Sequence, residues 1–402
     1  MIGRYNLEIG FVGKPNVGKS TLFSAVTLAN AEIAAYPFTT IEANRGVAYV
    51  RATCPHSDFN ISCNPKNSKC VDGIRYVPVK AIDVAGLVPD AHMGKGLGNK
   101  FLDDLRQAEV LIHIVDASGS TDLEGNPCDV GSHDPTEDVK FLEQEITYWM
   151  KGIMFKDWHR VSKQAELEGK KIEKALANNL SGLGVTENHI ILALRDLDLS
   201  EKPSKWSEEE LMNIANKIRL YSKPMIIAAN KCDIAPPENI KKLQALEDYI
   251  VIPVCAEAEL ALRRASNANL IDYKPGSESF NILTESKLTE PQIKALEKIK
   301  NILGHHHGTG AQKIIEDAVF KLLDRIVVYP VEDENKYSDH DGNVLPDAYL
   351  MPKGSTAKDL AFKVHTELGE KFIRAIDART KRVIGADHEI QNKDIIKIVA
   401  NV

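Results

Sequence analysis

The chain has 402 residues, of which 43% are hydrophobic and 27% charged, and its formal net charge is −7. The length suggests two or three domains, each with enough apolar residues for its own core. A negative balance excludes a polycationic nucleic-acid coat, so no DNA contact is expected and any RNA contact falls to local patches.

The first predicted element is an apolar strand, Leu7 to Val12. Directly behind it, Gly13-Lys14-Pro15-Asn16-Val17-Gly18-Lys19-Ser20 has the spacing of a phosphate-binding P-loop, and Thr21, Leu22 and Phe23 open a helix. The two glycines let the backbone curl so that N–H groups point inward at phosphate oxygens, with the positive end of the helix behind them. Gly13, Pro15, Asn16, Val17, Gly18, Lys19, Ser20 and Thr21 are therefore the candidate phosphate side of a nucleotide site. Lys19 would reach the β- and γ-phosphates, and Ser20 would set its hydroxyl on Mg2+. The strand–loop–helix context separates this pattern from a glycine-rich turn.

A strand over Gly46 to Arg51 is expected to pair antiparallel with the next one, Val77 to Asp83. Between them lie Cys54, His56, Cys63 and Cys70, a set able to hold zinc. No C-x2-C knuckle is present, so reduced thiols in a hairpin extension are the favoured reading and zinc the alternative. The second strand ends in Asp83-Val84-Ala85-Gly86, where Asp83 can hold Mg2+ through water and the Gly86 N–H can sense a γ-phosphate. Val110 to Asp116 is a further strand, in which His113 reads as a satisfied core or sheet-edge residue rather than a ligand.

Far more chain follows than a crossover needs, and residues 135–221 read as an inserted helical hairpin. Val139, Leu142, Ile146, Trp149 and Ile153 follow helical spacing, as do Ile172, Ala175 and Leu176. The outer face carries Lys151, Lys156, Arg160, Lys163, Lys170, Lys171 and Lys174. A solvated face is the plain reading of these charges and an RNA-facing arm the sharper one. Trp149, Trp158 and Trp206 read as packing anchors.

Met225 to Ala229 is the next strand, ended by Asn230-Lys231-Cys232-Asp233. The Asp233 carboxylate is an acceptor pair matching the N1–H and 2-amino donors of guanine, donors that adenine lacks on that edge. Ile250 to Val254 ends in Cys255-Ala256-Glu257, where a backbone N–H, by preference that of Ala256, meets the guanine O6. Each short motif alone arises by chance. Four in order, each after an apolar strand, point to a guanine-nucleotide site. Residues 1–134 and 222–287 thus read as one α/β P-loop domain with a mostly parallel sheet.

Residues 288–324 read as a helical connector broken near Gly304 and Gly308, with His305-His306-His307 in a solvated loop. Residues 325–402 place strands at Val327 to Val331, Phe372 to Ala375, Val383 to Ile384 and Ile395 to Val399 around a helix from Ala357 to Leu368. Ser355 or Thr356 can cap that helix, and the whole suggests a β-grasp domain. No apolar run is long enough to span a bilayer, and Met1 leads almost directly into the first strand, so neither leader nor membrane contact is expected. Six cysteines, with Cys232 and Cys255 inside nucleotide motifs, favour a reducing cytoplasm. A monomer is the default.

With these residues in hand, the chain resembles the Obg GTPases, and within them the YchF-like branch, in its archaeal and eukaryotic subgroup with an intact guanine motif. The resemblance rests on the P-loop, on Tyr36-Pro37-Phe38-Thr39-Thr40, on the Asp83 loop with the Gly-rich run after it, and on the insertion. It also rests on Gly354-Ser355-Thr356-Ala357-Lys358-Asp359-Leu360-Ala361 with His365, which is similar to the signature helix of TGS domains. It implies a G domain with a helical insertion, a ubiquitin-like TGS module, and GTP hydrolysis coupled to translation, with the ribosome or RNA as partner. It further implies Thr40, with Thr39 next, as the switch threonine on Mg2+ and the γ-phosphate, beside Lys19 and Gly86 in the catalytic set. Leu87 stands where Ras-like enzymes carry a water-orienting glutamine, so intrinsic hydrolysis is expected to be slow or to need another group. Asn16 stands where K+-stimulated relatives hold a monovalent ion, with a plain turn role as the alternative. His92 reads as a solvated loop histidine that could approach the attacking water. Better-known YchF proteins have an altered fourth motif and accept ATP; here the motif is intact and GTP is expected. The rival readings are an ATP-accepting YchF-type stress regulator and a nucleotide-gated scaffold with negligible turnover.

Overall fold

The computed structural model describes residues 7–28, 44–86 and 98–401. The first part comprises β1 (Glu8–Val12), α1 (Lys19–Thr27), β2 (Arg45–Thr53), α2 (His56–Phe59), β3 (Lys69–Val71), β4 (Ile74–Asp83), α3 (Gly98–Gln107) and β5 (Val110–Asp116). The insertion then runs through α4 (Pro135–Met154), α5 (Trp158–Leu167), α6 (Ile172–Leu180), α7 (Glu187–Arg195) and α8 (Glu208–Ser222). The sheet resumes with β6 (Met225–Asn230), α9 (Pro237–Gln244), β7 (Val251–Pro253) and α10 (Ala256–Asn267).

The main sheet has the order β2-β4-β1-β5-β6-β7, with β3 also on β4. The strands from β4 to β7 pair in parallel, and β2 and β3 run antiparallel to β4. Every residue of β5 and β6 is buried, because helices cover both faces of a parallel sheet. The register sets Phe11 beside Asp83 and Asp116 beside Asn230. The carboxyl ends of the strands therefore line up, and the loops that carry chemistry rise from one edge.

Two large cores flank the main sheet. On one face, Phe11, Leu22, Val50, Ile314 and Tyr329 belong to a continuous cluster that runs from the main sheet into the C-terminal part. On the other, Leu105, Leu142, Ile146 and Ile218 join α3 and the sheet to the insertion. Where helical spacing leads one to expect a hairpin, the insertion holds five helices. α8 packs back on α4, and Trp158 stacks on Trp206 with ring centroids 5.3 Å apart. The spacing of Ile172, Ala175 and Leu176 does fall in α6, whereas the short α5 and α7 were not read from periodicity. The capping box of Ser207 and Glu210 does mark the start of α8.

After the small ladder of β8 (Ile271–Asp272) and β9 (Asn281–Ile282), the chain crosses in α11 (Glu290–His306) and α12 (Ala311–Asp317). α11 continues through Gly304, and the break comes only at His307, whose φ of +53° closes the helix. The C-terminal part holds β10 (Arg325–Val331), β11 (Tyr349–Pro352), α13 (Ala357–Val364), α14 (Thr366–Glu370), β12 (Phe372–Asp377), β13 (Arg382–Ile384) and β14 (Ile395–Ala400). Its sheet order is β11-β10-β14-β12-β13, and Val328, Met351, Leu360 and Ile396 form its own core. The strand β11 was not legible from sequence. The helix expected from Ala357 to Leu368 is two helices, interrupted where His365 takes an extended backbone, and Thr356 is the cap. Among the described residues no helix is long and apolar enough to cross a membrane.

Candidate nucleotide-binding site

The P-loop leaves β1 with Val17 fully buried beneath it. Gly18, at φ +89°, precedes α1, whose first turn holds no acidic residue, so the helix N-terminus is suited to an anion. A Cβ on Gly18 would lie 2.3 Å from the amide nitrogen of Asn230, so only glycine permits the approach. That amide donates to the Val17 carbonyl at 2.7 Å, and its oxygen accepts the Ala256 N–H at 3.1 Å. One asparagine thus clamps the phosphate loop to the base-side loop. The Ala256 N–H, expected on the guanine O6, is spent on this clamp.

Three groups converge at the phosphate end. The Lys19 ammonium contacts one oxygen of Asp83, and the Ser20 hydroxyl donates to the other at 2.9 Å. Neighbouring ligands of an octahedral Mg2+ at about 2.0–2.1 Å stand about 2.9 Å apart, so two hard oxygens at this spacing fit the ion or a water bound to it. Gly86 faces Pro15, whose ring lies 3.7 Å from where a Cβ would be. Thr39, Thr40, Leu87 and His92 lie outside the described residues. Asn16 adopts a left-handed backbone with φ +63°, and its Nδ2 donates to the Gly125 carbonyl at 3.0 Å. This is the turn role, and it leaves Oδ1 as the atom a monovalent ion would use.

At the base end a cavity of ≈ 520 Å³ is lined by Asn16, Gly18, Thr21, Asn230, Lys231, Asp233, Ala256 and Glu257. Asp233 is exposed at this cavity, and the Cys255 thiol donates to its Oδ1 at 3.2 Å. Burial pushes the Cys255 thiol well up, which keeps it a donor. The Cys255 N–H donates in turn to the Thr309 carbonyl at 2.9 Å. The Thr309 hydroxyl meets buried Glu259 at 2.5 Å, and Tyr273 and Arg263 complete that carboxylate at 2.7 and 2.6 Å. The connector therefore braces the base loop.

Two residues that brace the site escaped the sequence reading. Asp116, fully buried at the end of β5, accepts from Ser118 at 2.5 Å, Thr121 at 2.9 Å and Lys231 Nζ at 2.9 Å. Burial pushes its carboxyl up, but the hydrogen bonds from Ser118 and Lys231 outweigh that and hold it below the ordinary range. Lys231 is thereby pinned at the cavity edge. An acidic residue closing a parallel strand, as Asp83 does, was the available signal. The other is Lys14, which turns away from the phosphate side to Thr121 and Asp138. His113 is buried with no partner for Nδ1, so it is a core residue but not a satisfied one.

Away from this site, the donor atoms of Cys54, His56, Cys63 and Cys70 all lie within 4.8 Å of one another. On the insertion, Lys151, Arg160 and Lys170 pair with Glu208, Asp157 and Glu168.

A P-loop lysine and serine meeting a neighbouring strand's aspartate, with Asn-Lys-Cys-Asp at the base side and a β-grasp module behind, define a P-loop G protein with an appended β-grasp domain. Residues 8–149 match the family of 50S ribosome-binding GTPases. Residues 228–333 match the G4 motif-containing domain of YGR210-like, Obg-like GTPases, and residues 341–400 match the TGS domain. The chain is 58% identical over 394 residues to the GTP-binding protein MJ1332 of Methanocaldococcus jannaschii, covering 98% of each. It is 32% identical to the GTP-binding protein C428.15 of Schizosaccharomyces pombe, covering 97% of this chain and 95% of that one. Ribosome-binding ATPase YchF of Bacillus subtilis is 29% identical over 98% of this chain and 100% of its own. The crystal structure of a GTP binding protein from Pyrococcus horikoshii OT3, 46% identical, superposes with a TM-score of 0.79 over 98% of this chain and 100% of that one. The chain belongs to the Obg-like GTPases, in their YGR210-like, YchF-like branch, with a C-terminal TGS domain.

Proposed function

We propose that this protein is a Mg2+-dependent, GTP-hydrolysing switch that works at the ribosome in the cytoplasm. The observation that carries guanine preference is Asp233, a carboxylate at the cavity held by the Cys255 thiol. Its two acceptor oxygens suit the N1–H and 2-amino group of guanine and leave adenine without a match. Asn230 keeps base side and phosphate side at fixed separation, and Glu257 and Lys231 flank the base.

Ser20 and Asp83, with Thr40, would hold Mg2+, which supplies positive charge against the β- and γ-oxygens. Lys19 brings a further positive charge to the same oxygens, the loop amides bind them, and the Gly86 N–H reads the γ-phosphate. Leu87 cannot orient water, so turnover is slow and suits a timer. A K+ ion on Asn16 Oδ1 is one way to speed it. We assign nucleotide chemistry to residues 1–134 and 222–287, and ribosome contact to the 135–221 insertion and the 325–402 module, with 288–324 between them. The ribosomal part rests on kinship with bacterial proteins named ribosome-binding ATPases.

Two measurements test it. Competition binding should give GTP an advantage over ATP; equal or tighter ATP binding would remove the guanine reading in favour of the ATP-accepting one. Co-sedimentation with ribosomes should be strong with a non-hydrolysable GTP analogue and weak with GDP. Absence from the pellet in every nucleotide state would remove the ribosome and promote a nucleotide-gated scaffold.

A further inference from the structure

At the opposite end of β4 from Asp83, the chain gathers four soft donors. Cys54 follows β2, His56 begins α2, Cys63 lies in the loop beyond, and Cys70 sits in β3. Cys54 Sγ is 3.8 Å from Cys63 Sγ, and His56 Nδ1 is 3.2 Å from Cys63 Sγ and 3.5 Å from Cys70 Sγ. A tetrahedral zinc with Zn–S of about 2.3 Å and Zn–N of about 2.0–2.1 Å has S–S edges of about 3.8 Å and S–N edges of about 3.6 Å. The donors stand close to the corners of that polyhedron. A disulfide would need sulfurs about 2.05 Å apart.

Charge supplies a second observation. Arg75 is fully buried. Its guanidinium donates to Cys54 Sγ at 3.3 Å, Ser68 Oγ at 2.9 Å and the Leu345 carbonyl at 3.1 Å, and lies 5.3 Å from the Tyr329 ring centroid. The Asp347 carboxylate lies within electrostatic reach of Arg75, but no ion pair within contact distance joins Arg75 to a carboxylate among the described residues. A buried cation without a contacting counter-charge is costly. Zinc on three thiolates and one neutral imidazole carries one net negative charge, placed against Arg75.

We infer that Cys54, His56, Cys63 and Cys70 form a structural zinc site that clasps the sheet extension of the G domain to the C-terminal domain. The loop it would fix makes several of the contacts between the two domains. The Lys66 N–H donates to the Pro346 carbonyl at 2.7 Å, and the Lys66 ammonium pairs with Asp339 at 2.6 Å. Asn64 and Asn67 accept the N–H groups of Val344 and Ala348 at 2.5 and 2.9 Å. With little regular structure of its own, that loop gains its order from the metal, and Arg75 carries the same anchor to Leu345.

The test uses the full, tag-free chain. Metal analysis should find about one zinc per chain, and exchange with Co2+ should give the visible bands of tetrahedral cobalt with thiolate charge transfer. Cys63→Ser should lower zinc affinity at least about tenfold in competition with a chromophoric chelator, while Cys128→Ser, outside the cluster, should leave it unchanged. Well under one equivalent after zinc reconstitution, an octahedral cobalt spectrum, or a Cys54–Cys63 disulfide in a thiol count would each overturn the site. The wild-type cobalt spectrum decides the matter even if the Cys63 variant does not fold.

Discussion

Lys14 of the P-loop and Asp138 of the insertion form an ion pair of 2.8 Å with both side chains almost wholly buried. The Thr121 carbonyl takes the same ammonium at 3.0 Å, and His133 Nε2 lies 2.8 Å from the same carboxylate oxygen. Burial pushes the Asp138 carboxyl up, and Lys14 pulls it back. Asp138 sits in the first turn of α4, so the helix that opens the insertion is tied to the loop that binds phosphate. A shift of the insertion on a partner surface would pull on the P-loop through this pair.

The first prediction concerns stability. Removing one member of a buried pair strands the other, at about 3–5 kcal/mol, whereas replacing both with apolar groups of similar size is far milder. Lys14→Ala should therefore cost about 3–5 kcal/mol in urea unfolding, and Lys14→Met combined with Asp138→Leu should recover most of it. A single-variant loss under about 1 kcal/mol would show that the pair is not structural.

Base selection gives the second. Asp233→Asn exchanges one acceptor for a donor, which clashes with guanine and suits the 2-oxo group of xanthine. Two charge-assisted hydrogen bonds at about 1.5–3 kcal/mol each imply that GTP affinity falls roughly 10²–10⁴-fold. Xanthosine triphosphate should bind the variant better than GTP does. Cys255→Ala, which removes only the thiol that holds Asp233, should cost less than about tenfold, near 1 kcal/mol. Unchanged GTP affinity in Asp233→Asn would detach the base from this residue.

How much of this was legible follows from distance along the chain. The P-loop, Asp83 and Asn230 to Asp233 were legible because each motif is contiguous and ends an apolar strand. Lys14 and Asp138 stand 124 positions apart, and no local pattern joins them. The zinc-type cluster was seen as a composition but not as a geometry, since α2 and the pairing of β3 with β4 bring Cys70 back to Cys54. Asp116 was passed over because, beside its local partners Ser118 and Thr121, the cation Lys231 reaches it only once β5 and β6 align.

Asp83 carries the third prediction. Its two oxygens meet Lys19 and Ser20, so Asp83→Ala removes the point where, in the proposed function, phosphate charge and metal would be organised. Losing one such pre-organised electrostatic group costs about 10²–10³ in rate. Single-turnover GTP hydrolysis should fall by that factor with guanine affinity changed far less, since the base end is untouched. Equal losses in binding and rate would instead mean a folding defect.

His113 makes acid stability a property of the P-loop region. It lies in β5, fully enclosed, and burial, with the charge of Lys14 second, holds its pKa down from 6.5 to about 3. The folded protein thus keeps a neutral imidazole where the unfolded chain binds a proton, so between pH 6.5 and about 3 the unfolded state takes up more protons. Stability contributed here is full above pH 6.5 and is lost as pH falls, by up to about 1.4 kcal/mol per pH unit. His113→Leu removes the proton site and, with similar volume, keeps the core filled. Urea unfolding at pH 7.5 and pH 5 should show wild type losing about 1.5–2 kcal/mol more than the variant over that interval. Parallel losses in the two proteins would mean that His113 titrates alike in both states and that its burial does not govern acid sensitivity.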